Sequence, residues 1–355
     1  MIRLLTIVGA RPQFIKAAAF SHTVAESYAG SIAEDILHTG QHYDDALSAA
    51  LFRELQIPAP RYALTLCGDT PGQQLEAMAE GALKVMRAER YDAALVYGDT
   101  TSTLAGALAA EAAGLPLMHV EAGLRSHNEA MPEEHNRVEA DRRAALLFAP
   151  TPAAVANLRA EGFDDERIVH SGDVMYDSLL RHRQRAVSLY GTGRPRLLLT
   201  VHRNYNADSP DRLAAILAGA DEAGRALGLR VLFAVHPRTR KQLGSMAFVN
   251  IDCCPPLAYL PTLAALAEAP VVLTDSGGLQ KEAFFSGRPC VVLREETEWT
   301  EIVSVGAAVL AGADSSRIVD AALSLVGKQL PAPLQFGDGH ACRTIAERIL
   351  ASLSH

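Results

Sequence analysis

The sequence is short of several things, and each shortage removes a class of function. No apolar run approaches the roughly 18 residues that a membrane-spanning helix needs, so no membrane partner is expected. The formal net charge of −8 comes without a basic stripe. That excludes a general nucleic-acid binder, but not an anionic small ligand, whose site depends on local charge. Cys67, Cys253, Cys254, Cys290 and Cys342 form an odd set without metal-ligand spacing, and their simplest reading is reduced thiols in a cytoplasm. Neither Gly-x-Gly-x-x-Gly nor Gly-x-x-x-x-Gly-Lys-Ser/Thr occurs, which argues against a nicotinamide cofactor and against ATP-driven chemistry. Aromatic residues are only 6% of a chain that is 49% hydrophobic, so the core must be built chiefly from Ala, Leu and Val. Internal repeats and low-complexity segments are also missing.

What remains is a chain of 355 residues, long enough for two domains. Short apolar runs alternate with longer helical patterns, the signature of parallel sheets with crossover helices. The apolar start, Met1 to Val8, gives way at once to Gly9-Ala10-Arg11-Pro12 and so reads as a strand and not as a secretory signal. Further strands are expected at 33–37, 93–97, 117–120, 146–149 and 168–170. A Gly- and Pro-containing loop at 190–195 then introduces a second series, with strands at 196–201, 231–235, 249–251, 271–274 and 290–293 and a last helix over 341–353. The expected class is α/β: two Rossmann-like domains whose parallel sheets face a central cleft, residues 1–172 with 340–355 in one and 173–339 in the other. In such sheets ligands gather beyond the C-terminal ends of the strands, which is where the polar clusters lie.

The densest cluster runs from His119 to Arg137. Glu121 and Glu133, in a stretch punctuated by Gly123 and Pro132, have the character of acid/base groups. Asp99, just after a strand, serves equally well as a helix cap when viewed alone. Three carboxylates at an anionic site would raise one another's pKa, giving one protonated and one ionised group able to remove and return a proton at carbon. Asp275-Ser276-Gly277-Gly278 lies between a strand and a helix, where backbone N–H groups and the helix dipole receive a phosphate. Glu282, one helical turn on, suits ribose hydroxyls; a lone Gly-Gly pair would be only a capped turn. Arg11 and Lys16 suit charge on a substrate or leaving group, although Lys16 alone is equally a solvated helix residue. His202 and His236 each end a strand and are closely followed by arginine, which favours anion recognition over metal binding, since no compact ligand set accompanies them.

Taken together, Gly9-Ala10-Arg11-Pro12-Gln13-Phe14-Ile15-Lys16, Thr39-Gly40-Gln41-His42, Gly98-Asp99-Thr100, the run His119 to Arg125, Pro132-Glu133-Glu134 with Asn136-Arg137, His202-Arg203, Asp275 to Gly278 with Glu282, and Gly337-Asp338-Gly339 resemble the non-hydrolysing UDP-N-acetylglucosamine 2-epimerases. The resemblance covers essentially the whole chain. It implies a GT-B fold, UDP held mainly by the C-terminal domain, a final helix crossing back to the first domain, and a homodimer. It also implies inversion at C2 of a UDP-N-acetylhexosamine without NAD or metal. Loss of the C2 proton and of UDP gives a 2-acetamidoglucal, and UDP adds back with a proton delivered to the opposite face. By resemblance Asp99, Glu121 and Glu133 are the acid/base residues and His202 assists UDP departure. Arg11, Lys16, Gln41, His42, Arg137 and His236 line the cleft, while Ser276, Gly277, Gly278 and Glu282 hold phosphate and ribose.

Met131-Pro132-Glu133 and Glu296-Thr297-Glu298-Trp299 are similar to the branch acting on UDP-2,3-diacetamido-2,3-dideoxyglucuronate. Two departures stand out. Asn204-Tyr205-Asn206 follows His202-Arg203 where the family has a residue and then Glu, which bears on how His202 is held. Tyr43-Asp44 follows His42 where substrate-activated members have Arg and then Gln or Glu, which argues against activation by a second substrate molecule. A GT-B glycosyltransferase and a UDP-sugar-binding protein without catalysis are the rival readings. The first gives three clustered acids no role, and the second draws only on Tyr205.

Overall fold

The alternating pattern folds into two parallel sheets, seen in a computed structural model that describes residues 1–41, 45–128, 131–244, 246 and 248–353, with the side chains of 45–49 set aside. His42, Tyr43 and Asp44 therefore lie outside the described residues. The chain divides into two compact units, Met1–Ser178 with Leu334–His355, and Leu179–Pro333.

In the first unit the strands are β1 (Ile2–Val8), β2 (Ile32–His38), β3 (Tyr62–Ala63), β4 (Ala93–Tyr97), β5 (Leu117–Val120), β6 (Ala144–Ala149) and β7 (Ile168–His170), ordered β3-β2-β1-β4-β5-β6-β7. All neighbours are parallel. A parallel sheet is covered on both faces, which is why Leu4, Leu5, Ile7, Val8 and all of β4 are buried without alternation. The alanines of helix Thr101–Ala113 let its backbone lie close on that sheet. At Gly106 even a methyl group would come within 2.7 Å of Val96 and 2.9 Å of Ile7. The last helix, Ala341–Leu353, belongs to this unit: half-buried Asp177 accepts from the backbone N–H of Ala341 (3.1 Å) and Cys342 (2.7 Å) at its start.

The second unit has β8 (Arg196–Thr200), β9 (Arg230–Ala234), β10 (Ile251–Cys254), β11 (Val272–Thr274), β12 (Cys290–Val292) and β13 (Ala308–Leu310), again all parallel, in the order β10-β9-β8-β11-β12-β13. The strand expected at 249–251 forms at 251–254 instead, because Val249 is 77% exposed and Asn250 gives its N–H to Asp221. Leu197, Leu199, Phe233, Leu273 and Val291 make the core with Ile216 and Leu217 of helix Pro210–Leu227 and Ile318 of helix Ser315–Leu325. Both sheets thus have the Rossmann order, and in each the order reverses once, between β1 and β4 and between β8 and β11. That reversal splays the loops apart and opens a ligand crevice beyond the strand ends.

Candidate active site

At the first reversal a buried amide sets the geometry. Gln13, 0% exposed, accepts from the N–H groups of Gly9 (2.8 Å) and Ala10 (3.1 Å) and donates to the carbonyl of Tyr97 (3.0 Å) and to Thr103 (3.0 Å). It therefore ties the end of β1 to the end of β4. Gly9 has no room for a side chain, since a Cβ would sit 2.0 Å from Thr39 Oγ1 and 2.1 Å from Ser102 Oγ. Gln41, expected to line the cleft, accepts through Oε1 from the N–H (3.0 Å) and hydroxyl (2.6 Å) of Ser102.

Lys16 is not the solvated helix residue of the bland reading: it is 6% exposed and forms an ion pair with Glu121, itself 9% exposed. Glu121 adopts φ +73°, unusual for a residue with a Cβ. Its N–H and that of Ala122 both donate to the carbonyl of Phe148, at 3.0 and 3.1 Å, fastening this turn to β6. Gly98 abuts the pair, with φ +63° and a Cβ position only 3.1 Å from Lys16 Nζ and 3.2 Å from Glu121 Oε2. Next in sequence, Asp99 is ion-paired with Arg137. Asp99 does not cap the following helix; Thr100 does, accepting from the N–H of Thr103. Asp99 and Glu121 thus each face a cation, in place of the expected cluster of mutually repelling carboxylates.

Helix Pro132–Arg143 supplies the other side of this centre, and its buried face is polar: Glu134, Asn136, Arg137 and Asp141. The adjacent acids Glu133 and Glu134 part company here. Glu134 accepts from the N–H (2.9 Å) and hydroxyl (2.9 Å) of Ser126, from the N–H of His127 (3.1 Å) and from Arg137 (2.7 Å). Burial pushes its carboxyl up, but the Ser126 bonds and Arg137 outweigh that and hold it below the ordinary range. Glu133 is half-buried and forms no hydrogen bond or ion pair among the described residues. Arg125 is also spoken for, pairing with Glu161 through Nε (2.6 Å) and with Asp141 (2.7 Å), which removes it from the cations free to meet an anion. Arg11 is exposed at the start of its helix.

The second reversal, in the other unit, is organised by Asp275, which is 0% exposed. It accepts from the N–H groups of His202 (3.1 Å) and Arg203 (3.0 Å), from Asn206 (3.2 Å) and from the His202 ring at Nδ1 (3.0 Å). Burial drives this carboxyl up, yet His202 and the N–H donors prevail and keep it low. Asn206 also donates to the carbonyl of Leu293 (2.8 Å), which ties the Asp275 support of His202 to the end of β12. The His202 and His236 rings lie 5.9 Å apart, and His236 is exposed.

Ser276 caps helix Gly277–Phe285, accepting from Leu279 at 3.3 Å. The two glycines differ. A Cβ at Gly277 would meet Glu298 Oε1 at 2.1 Å, whereas at Gly278 it would meet only Ser276 Oγ at 4.0 Å, leaving that N-terminal turn open. Glu282 follows on the same helix and is 6% exposed. Sequence reasoning gave no role to Gln13, to Asp141 or to Lys281, whose ammonium lies 4.3 Å from the centroid of the Trp299 ring. The one available signal was helix 132–143, which has too few apolar residues for an ordinary buried face.

Two parallel sheets in the Rossmann order, one reversal lined by carboxylate–cation pairs and the other by a histidine and an open helix N-terminus, define a two-unit Rossmann-type α/β protein. The family model for UDP-N-acetylglucosamine 2-epimerases matches residues 26–350. The UDP-2,3-diacetamido-2,3-dideoxy-D-glucuronate 2-epimerase of Pseudomonas aeruginosa is 44% identical over 352 residues, covering 98% of this chain and 99% of that one. The UDP-N-acetylglucosamine 2-epimerase of Methanocaldococcus jannaschii is 34% identical over 370 residues, 100% of this chain and 99% of that one. The crystal structure of the latter with UDP-GlcNAc and UDP superposes with a TM-score of 0.88, 34% identity and coverage of 99% and 100%; that of the Neisseria meningitidis enzyme bound to UDP-GlcNAc gives 0.87, 25%, and the same coverage. The chain belongs to the UDP-N-acetylglucosamine 2-epimerase family, and its two units are the halves of a GT-B fold. It is by that membership a carbohydrate isomerase.

Proposed function

We propose that the protein inverts C2 of a UDP-N-acetylhexosamine by removing the C2 proton as UDP departs and then reversing both steps on the opposite face. The observation that carries this reading is the buried Lys16–Glu121 pair beside Gly98 and Asp99, an acid/base centre held by backbone that is strained at Glu121. One carboxylate takes the proton from C2, the C1–O bond breaks with its electron pair leaving on UDP, and C1=C2 forms to give the 2-acetamidoglucal. A proton returned from another carboxylate to the other face, with UDP re-adding at C1, completes the inversion. Asp99, Glu121 and Glu133 fill these acid/base roles, and Glu133, which makes no ion pair among the described residues, is suited to moving a proton. Arg11, Lys16 and Arg137 offset the negative charge that builds as UDP leaves, and Gln41, His42 and His236 contribute to substrate binding. His202, oriented by Asp275, donates to the departing UDP; Ser276, Gly277, Gly278 and Glu282 hold its phosphates and ribose.

The substrate proposed is UDP-2,3-diacetamido-2,3-dideoxyglucuronate, supported by 44% identity to the enzyme bearing that name against 34% and 31% to two UDP-GlcNAc enzymes. We further propose a homodimer, by family resemblance, working in a cytoplasm, where free thiols such as exposed Cys67 and Cys253 stay reduced. Incubation in deuterated water with the diacetamido uronate and with UDP-GlcNAc tests the reading. Deuterium should enter C2 of both epimers of the uronate with a kcat/KM about 10-fold or more above that for UDP-GlcNAc, and Glu121→Gln should lower exchange about 100-fold. Absence of C2 exchange from every UDP-sugar would remove it.

A further inference from the structure

Asp141 touches none of the surface at which a ligand could sit, since it is 0% exposed. Its two oxygens nevertheless reach three residues of the stretch 119–125, one at the end of β5 and two in the turn that follows. Oδ1 accepts from His119 Nδ1 at 2.7 Å; Oδ2 accepts from the N–H of Gly123 at 3.1 Å and from Arg125 at 2.7 Å. His119, also 0% exposed, turns its other nitrogen, Nε2, to the carbonyl of Gly98 at 2.7 Å. A carbonyl can only accept, so Nε2 carries a proton and donates.

We propose that Asp141 is a positioning residue that sets the relative placement of Asp99 and Glu121, working through His119 and the Gly98 carbonyl on one side and through the Gly123 N–H on the other. The inference rests on the epimerase reading of those carboxylates. Gly98 immediately precedes Asp99, Gly123 lies two residues after Glu121, and Asp141 shares helix Pro132–Arg143 with Glu133 and with Arg137, the partner of Asp99. One buried carboxylate therefore joins all three segments that bear the proposed acid/base groups.

The residue type follows from this task. Only an anion accepts strongly from a ring N–H, a backbone N–H and a guanidinium together. A buried charge is tolerable here because Arg125 neutralises it and is itself paired with Glu161. Burial pushes the Asp141 carboxyl up, but His119 and Arg125 overcome it and keep the group ionised. The strain at Glu121, φ +73°, needs surroundings that determine it from several sides, and the Gly123 bond to Asp141 joins the two Phe148 bonds in doing so.

Asp141→Ala and the isosteric Asp141→Asn test this, with His119→Gln as a third variant that interrupts the arm from Asp141 through the ring to Gly98 and leaves the Gly123 and Arg125 bonds. Asparagine keeps an acceptor for Gly123 and Arg125 and offers an N–H to His119 Nδ1, leaving Nε2–H on Gly98. Under saturating UDP-sugar in deuterated water, Asp141→Ala should lower kcat for C2 exchange about 100-fold, His119→Gln about 10-fold or more, and Asp141→Asn should recover to within about 10-fold of wild type. The Kd for UDP, measured by calorimetry, should stay within about 2-fold throughout, which a general loss of structure would not allow. Backbone hydrogen exchange without substrate should quicken at 98–99 and 121–123 in Asp141→Ala, with protection largely restored in Asp141→Asn, while 201–203 and 275–278 keep wild-type protection. The positioning role is overturned if the amides at 98–99 and 121–123 exchange in Asp141→Ala as in wild type, if kcat is unchanged in folded variants, or if UDP affinity falls as far as kcat. Wild-type failure to exchange C2 would strike the epimerase reading, and the amide-exchange comparison decides the positioning role on its own.

Discussion

Asp275 shows how one side chain can govern a binding turn it does not line. Its donors fix the backbone of His202 and Arg203 and the His202 ring, and its pKa is held below the ordinary carboxylate value despite burial. The consequence for stability follows from linkage. With a folded pKa below the unfolded one, the unfolded chain binds the proton first as pH falls. The contribution is therefore complete above the unfolded value of about 3.9 and is lost as pH drops through the folded value. Urea unfolding measured from about pH 6 to pH 3 should show wild-type stability declining at the acid end, and Asp275→Asn should flatten that decline. An unchanged slope in the variant would mean that Asp275 gains nothing from its partners. Glu133 and Glu134 make the same point by contrast. Neighbours in sequence, they differ because one helical position faces the loop at Ser126 and His127 and the next does not.

Helices here are placed less by amphipathic stripes than by contacts at their first turns. Helix Arg11–Thr23 is almost wholly buried, and its N-terminus is stitched to β4 by Gln13. Gln13→Ala would strand the N–H groups of Gly9 and Ala10 and one bond at the Tyr97 carbonyl, each such loss worth roughly 1–3 kcal/mol. Allowing for partial relaxation, the loss expected in a urea titration is about 2–4 kcal/mol. A change under about 0.5 kcal/mol would show that water replaces the amide. Helix Pro132–Arg143 is the clearest case of an element whose inward face is chemical. A pattern of charged residues normally marks a solvated face, so periodicity pointed it outward, yet Glu134, Arg137 and Asp141 are buried because partners from neighbouring segments meet them.

The molecule repeats one architectural solution twice. Each unit has a parallel sheet in the Rossmann order with its polar residues beyond the strand ends at the reversal. The division of the chain falls inside helix Val174–Tyr190, and the final helix rejoins the first unit through Asp177. UDP alone, without a sugar, should engage the turn at Ser276–Gly278, whose N-terminal amides are open at Gly278. At about 100 times its Kd, UDP should raise the unfolding free energy by roughly 2.7 kcal/mol, with amide protection appearing at 201–203 and 275–278. Stabilisation accompanied by protection only in the first unit would reverse the assignment of the nucleotide to the second.

The alternation of short apolar runs with helical segments, and the glycines and prolines that end them, determined the α/β class and nearly every strand, because periodicity and turn chemistry are local properties. The ordered motifs likewise pointed to the family, and Glu121, His202 and Ser276 were legible as candidate site positions because they follow strand ends. What only the tertiary structure decided is which charges meet. Lys16 and Glu121, Asp99 and Arg137, His119 and Asp141, and Asp275 and His202 are drawn from segments far apart in the chain. Each pair forms only because sheet order brings its members together, and no local pattern encodes that order. The same reason separates Glu134, enclosed by the loop it stabilises, from Glu133 beside it.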